Sequence, residues 1–338
     1  MKLQILIPHY KEDTSLVRRQ LDSIATQQGI DVAKDLGVII CNDGSDVLLP
    51  IDDFEKEYPF AIQYCVREHS GMSAIRSFLL KLATADYVMC CDSDDVFSNM
   101  LGLYKVFETI DNGGFDVFYS AFYEELFNRS TGKYAYVERC QDLYFLHGKV
   151  FRRQFLIDNK IDWKPGLNER SDNYFLWQAM LLAEDKRYSA NPFYTWKYNP
   201  NSVCRNTDGF FSKTYHKSLL SDSLNVQNFI ERERYGEAAF MFYRIIYDGY
   251  FELGRLGIEA VLSDRNAAYA LDTYSVVCRN YLAIFKNVPA EIKTHAFENV
   301  CSAKGMGNPN YEFMEHAEGW ARALITGPQH EWAGRKAE

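Results

Sequence analysis

The sequence predicts an α/β fold over its first two thirds, a largely parallel sheet between helices, followed by a helical region. Three observations predict it. Short apolar runs alternate with amphipathic helical patterns from the N-terminus to about residue 205. One run, Tyr87-Val-Met-Cys-Cys, stops abruptly in Asp92-Ser93-Asp94-Asp95, as a buried strand does where it meets a ligand at its C-terminal end. Beyond residue 206 the spacing of apolar residues is helical and β-like runs are few.

In chain order, Lys2 to Ile7 reads as an apolar strand that Pro8 stops. Leu16, Leu21 and Ile24 predict a helix over Thr14 to Gln28, with Gly29 after it. Leu36 to Cys41 reads as a second strand ending in the turn Asn42-Asp43-Gly44-Ser45, and Ala61 to Val66 as a third. Ile75, Leu79 and Leu82 give one face to a helix over Ser73 to Leu82. Asp86 to Cys91 is the fourth strand, and Asp116 to Phe122 a further one. In the C-terminal part, Phe240, Tyr243, Tyr247, Tyr250 and Phe251 form a helical stripe expected to be core. Tyr269, Val276, Tyr281 and Ile284 suggest another helix, and Glu291 to Ser302 and Tyr311 to Ile325 two more. The expected domains are therefore 1–205 and 206–338.

The net charge of -9 argues against a general affinity for nucleic acid or an anionic membrane. A basic strip at Arg152, Arg153, Lys160 and Lys164 leaves room for local contact. The eight cysteines have no metal-ligand spacing and read as free thiols of a reducing cytoplasm. The apolar start is too short for a secretory signal, and no window approaches eighteen apolar residues. The expected location is cytoplasmic, with any membrane contact peripheral.

Three carboxylates crowded at a strand end repel one another unless a cation sits among them. Asp92, Asp94 and Asp95 are therefore the candidate ligands of Mg²⁺ or Mn²⁺, since hard cations take oxygen ligands. A nicotinamide-dependent oxidoreductase would need a glycine-rich turn after the first strand, where Pro8-His9-Tyr10 stands instead. A phosphohydrolase would need further ligands at other strand ends, and the seven histidines show no such spacing.

Several segments, in order and spacing, resemble family 2 glycosyltransferases, which have the GT-A fold. They are Ile5-Leu-Ile-Pro-His-Tyr-Lys-Glu12, Ile39-Ile-Cys-Asn-Asp-Gly-Ser-Asp46, Ser70-Gly-Met-Ser-Ala-Ile-Arg76 and Cys91-Asp-Ser-Asp-Asp95. A looser match runs from Gly148-Lys149 to Ser171-Asp172. The resemblance covers roughly residues 1 to 205. It implies a Rossmann-like GT-A domain and an inverting transfer from a UDP-sugar to an acceptor hydroxyl. It places Pro8, Tyr10, Glu12, Asn42, Asp43, Arg76, Asp92 and Ser93 at the donor, with Tyr10 against the base and Asp43 accepting the uracil imino hydrogen. Arg76 would reach a phosphate oxygen or a strand-end carboxylate.

The family carries its catalytic base in a Glu-Asp pair. Here Ser171 stands at the first position, so Asp172 is the candidate base and Glu169 its alternative. Lys197, Ser202 and Arg205, in a segment resembling the family's closing strand and turn, would touch the diphosphate as a lid. His147 and Trp177 would lie on the acceptor side. The implied acceptor is a saccharide. The alternatives are a hydroxymethylated pyrimidine in DNA, as for phage-type transferases, and a non-catalytic carbohydrate-binding protein on the same fold. The helical region after residue 206 is expected to shape the acceptor site or an oligomer contact.

Overall fold

Strand β1 (Leu3–His9) is buried along its whole length, which is why it reads as a mostly apolar run rather than an alternating one. In the computed structural model, which describes residues 1–167, 169–200, 210–306 and 310–326, this strand lies inside the large sheet, between two others. Helix α1 (Thr14–Ala25) follows, opened by Asp13, whose carboxylate accepts from Ser15 N–H, and burying Val17, Leu21 and Ile24. The helix ends before Gln27 and Gln28, which bond to the carbonyls of Asn99 and Met100 instead of continuing it.

After a single turn, α2 (Val32–Asp35), strand β2 (Leu36–Asn42) pairs parallel to β1, from Leu3↔Leu36 to His9↔Asn42. Helix α3 (Ile51–Glu57) leads to β3 (Ala61–Val66), and α4 (Met72–Leu82) to β4 (Tyr87–Cys90). Strand β4 lies on the other side of β1, so the carboxyl ends of β1, β2 and β4 meet at one edge.

The next elements build the second half. Strand β5 (Val96–Phe97) and α5 (Gly102–Asp111) precede β6 (Val117–Ser120), β7 (Phe122–Asn128), β8 (Lys133–Arg139) and β9 (Lys149–Arg152). Helices α6 (Arg153–Asp158) and α7 (Ser171–Leu182) and strands β10 (Lys186–Ser189) and β11 (Tyr194–Trp196) follow. A seven-stranded sheet has the order β10-β6-β9-β4-β1-β2-β3, with β9 antiparallel to both neighbours. A four-stranded sheet has the order β5-β11-β7-β8. The expected single strand from Asp116 to Phe122 is in fact divided: Val117–Ser120 enters the large sheet, and Phe122 begins a strand of the small one.

The chain forms two compact units, Met1–Arg205 and Asn206–Glu338. The second contains α8 (Phe210–Glu231), α9 (Tyr235–Glu252), α10 (Ile258–Ser263), α11 (Arg265–Tyr281), α12 (Ala290–Lys304) and α13 (Tyr311–Thr326). Phe240, Tyr243 and Tyr247 of α9 are buried, as the stripe predicts. In α11 the helix is where it was expected, but its face is not. Tyr269 and Val276 are exposed, Ile284 lies past its end, and the buried side carries Ala270, Leu271, Tyr274, Val277 and Cys278.

Candidate active site

The acidic turn grows directly out of β4. Cys91 N–H still bonds Leu6 O, at 3.0 Å, and then the chain folds so that Asp95 N–H donates to Asp92 O at 3.2 Å. Gln20 of α1 holds the same carbonyl, Nε2 to O 2.7 Å. Helix α1 therefore pins a turn whose own charges would spread it.

The three carboxylates have different surroundings. Asp92 accepts Arg76 Nη2 on Oδ1 at 2.6 Å, while its Oδ2 takes no hydrogen bond from the described residues. Asp94 accepts Asn199 Nδ2 on Oδ2 at 2.7 Å. Asp95 is fully buried, with Oδ2 accepting from the Tyr194 hydroxyl at 2.7 Å and Oδ1 from Lys197 N–H at 2.8 Å. His147 comes in beside it, Nδ1 3.7 Å from Asp95 Oδ2, its ring stacked on those of Tyr194 and Trp196. One ligand atom each of Asp92, Asp95 and His147 lies within 4.8 Å of the others.

Burial pushes the Asp95 carboxyl well above the usual carboxylate range, and Asp92 and Asp94 push it the same way. Asp94 is raised too, by burial and then by Asp92. Burial also works on Asp92, but Arg76 and His147 outweigh it and hold that carboxyl below its ordinary value. Two carboxylates and an imidazole converging where anionic charge is this costly suit a divalent cation. Two of the three expected ligands, Asp92 and Asp95, are in this cluster. Asp94 Oδ2 is bonded to Asn199, and His147, expected on the acceptor side, completes the cluster. No sequence spacing announces His147, because β9 brings it to the acidic turn from 52 positions after Asp95.

Arg76, buried on α4, links this cluster to α7. One nitrogen reaches Asp92 and the other reaches Asp172 Oδ1. Burial opposes its charge, but Asp172 and Asp92 more than offset that and raise its pKa. Helix α7 starts after Arg170, whose φ of 60° is left-handed, and this sharp entry puts Asp172 in the first turn, where a carboxylate is favoured. Trp163 Nε1 donates to Asp172 Oδ1 at 3.3 Å, with its ring flat on Phe175 at 3.8 Å. Asp172 Oδ2 receives no hydrogen bond from the described residues. Glu169 lies half-buried in the bend just before α7.

On the far side of β1 the turn after β2 is closely stitched. Asn42 is buried, its amide donating to Ser45 O at 3.0 Å and Val47 O at 3.1 Å and its Oδ1 accepting Ser45 N–H at 2.7 Å. These bonds shape the turn. Asp43 accepts from Ser70 N–H and Oγ–H and from Gly71 N–H, which ties the turn to the start of α4. Pro8 is interior, and Glu12 Oε2 fixes the Tyr10 amide at 2.6 Å. Tyr10 is exposed and stacks on His69.

Other expected contacts are also interior. Ser93 is buried in the acidic turn. Trp177 is buried in α7, edge-on to Tyr144, so it offers no face to a sugar ring. The Lys197 ammonium pairs with Glu125. Ser202 and Arg205 lie outside the described residues. Of the basic strip, Arg152 bonds Asp116 and Arg153 bonds Ala85 O. Among the described residues no helix is long and apolar enough to cross a membrane.

The family model for glycosyl transferase family 2 matches residues 4–166. The uncharacterized glycosyltransferase YwdF of Bacillus subtilis is 30% identical over 203 residues, covering 57% of this chain and 72% of that protein. Glycosyltransferase GlyA of Streptococcus pneumoniae is 26% identical over 231 residues, which are 60% of this chain but 32% of that larger protein. Among solved structures, S. aureus TarS 1-349 in complex with UDP-GlcNAc superposes with a TM-score of 0.62 over 97% of this chain and 92% of that one. At 16% identity, this is a likeness of fold. The strand order, the acidic turn and these matches together show that the chain belongs to glycosyltransferase family 2.

Proposed function

We propose that the chain moves a sugar, with inversion, from a UDP-sugar to a saccharide hydroxyl, and that it uses Mn²⁺ or Mg²⁺. The observation that carries this reading is the Arg76 bridge from Asp92 of the cation cluster to Asp172. It sets a candidate base beside the place where a cation would hold a diphosphate. UDP is favoured because the similar fold of TarS holds UDP-GlcNAc, and because Tyr10 and Asp43 offer a ring face and an acceptor for a base.

Asp92, Asp95 and His147 would hold the cation, which would neutralise charge on the departing diphosphate. Arg76 adds a fixed positive charge at the same place. The acceptor oxygen attacks the anomeric carbon opposite the diphosphate. Its bond to carbon forms as the carbon–phosphate-oxygen bond breaks, UDP leaves with the electron pair, and the proton passes to Asp172 Oδ2. The Oδ1 contacts to Arg76 and Trp163 orient Asp172 for this. A saccharide acceptor is preferred to DNA because the chain is acidic and two of its four strip residues are engaged internally. The helical second unit is assigned to acceptor recognition or to a contact between copies.

The test is UDP release from a panel of UDP-sugars with Mn²⁺ and saccharide acceptors. Release should vanish with EDTA, and Asp172→Asn should cut turnover roughly 10²- to 10⁴-fold with UDP affinity little changed. Near-normal turnover in Asp172→Asn with loss in Glu169→Gln would transfer the role of base to Glu169.

A further inference from the structure

Three hydrogen bonds hold the Asp43 carboxylate, and a further contact comes from a side chain free to leave. Oδ1 accepts Ser70 N–H at 2.9 Å and Ser70 Oγ–H at 2.8 Å, and Oδ2 accepts Gly71 N–H at 2.9 Å. The further contact is His69 Nδ1, which hydrogen-bonds the Asp43 carbonyl oxygen at 3.0 Å and lies 2.9 Å from Oδ2. Both of those partners are acceptors, so Nδ1 carries the proton and donates. The same imidazole lies on Tyr10, with ring centroids 4.5 Å apart and planes 26° apart. The Lys11 ammonium is 5.0 Å from the Tyr10 centroid as well.

A flat nitrogen heterocycle that stacks on Tyr10 and turns an N–H toward Asp43 occupies the place that a uracil base would take there. The subsite is thus filled from within the chain. We propose that His69 is an intramolecular competitor for the donor's base, and that the nucleotide binds by displacing it. This rests on the UDP-sugar reading given above.

The local structure suits a side chain that swings while its backbone stays. Gly44 packs against the His69 backbone so closely that a Cβ at Gly44 would sit 2.5 Å from His69 N. Ser70 and Gly71 are anchored on Asp43. The His69 side chain itself is 54% exposed and can turn into solvent without unpacking a core. When it leaves, Asp43 Oδ2 loses a neighbouring N–H, and a base with an imino N–H takes its place, as uracil does. While the ring is in place, only the open fraction of molecules can bind, and the apparent affinity falls by that fraction.

The experiment is calorimetric titration of the full chain with UDP and Mn²⁺, comparing wild type with His69→Ala, together with the His69 ring resonances of the wild type. The expected result is tighter UDP binding by His69→Ala, roughly three- to tenfold, and loss of the Tyr10 ring-current shift from His69 on adding UDP. Equal affinity in the two proteins would overturn the competition and leave the UDP reading standing. Weaker binding by His69→Ala would also overturn it, making His69 a contact to the base. Absence of UDP binding in both proteins would overturn the UDP reading and the competition with it.

Discussion

Burial disfavours the charged form of two groups in the first unit, and they differ in purpose. Asp95 sits in the acidic turn, where a cation would relieve it. Lys149, at the start of β9, is fully buried, donates to Phe145 O and lies 3.9 Å from Asp142, and burial pushes its pKa down to about 8. Below pH 8 the ammonium is charged in both folded and unfolded chains, and the folded chain carries the cost. Between about 8 and the ordinary lysine value the unfolded chain binds the extra proton, so stability rises with pH, by about 3 kcal/mol in all. Thermal unfolding across this window should show the rise in wild type and its loss in Lys149→Met. An equal slope in both would contradict the assignment. At this scale the sequence singles out Arg76 and Asp172 from its motifs, and the structure joins the two in an ion pair. The sequence hides His147, and the interior settings of Asn42, Ser93 and Trp177, because those depend on what packs against them from distant strands.

Elements were legible where one face is apolar over several turns or a whole strand is buried. Helices α1 and α4 and strands β1, β2 and β4 follow their apolar patterns closely. The small sheet was not legible. Strand β5 has two residues, and most of β8 faces solvent, so neither leaves a hydrophobic period. The run through Ala121 reads as one strand because both of its halves are apolar, and only tertiary packing splits it between sheets. The turn after β2 depends on Gly44, with φ +78° and no space for a Cβ against His69 N. Gly44→Ala should cost about 1–3 kcal/mol and lower the melting temperature, because both the strained φ and the clash act on backbone. It should weaken UDP binding as well, since Asp43 is the next residue. An unchanged melting temperature would show that the turn tolerates a different backbone.

For the whole molecule, the division into a mixed α/β unit and a helical unit places all the motif residues in the first. Strand order gathers the carboxyl ends of β1, β2 and β4, and these carry Tyr10, Asp43 and the acidic turn, three stations spaced along one edge. Crossover helix α4 closes the arrangement, because Arg76 on its buried side bridges the acidic turn to α7. A site of this kind predicts linked binding, in which neither diphosphate nor cation binds well alone. The most direct measurement is UDP affinity with and without Mn²⁺, in wild type and in Asp92→Asn. The account predicts that Mn²⁺ tightens UDP binding in wild type by at least about tenfold, or ~1.4 kcal/mol, and has little effect in Asp92→Asn. Equally tight UDP binding in EDTA, or an undiminished Mn²⁺ effect in Asp92→Asn, would contradict it.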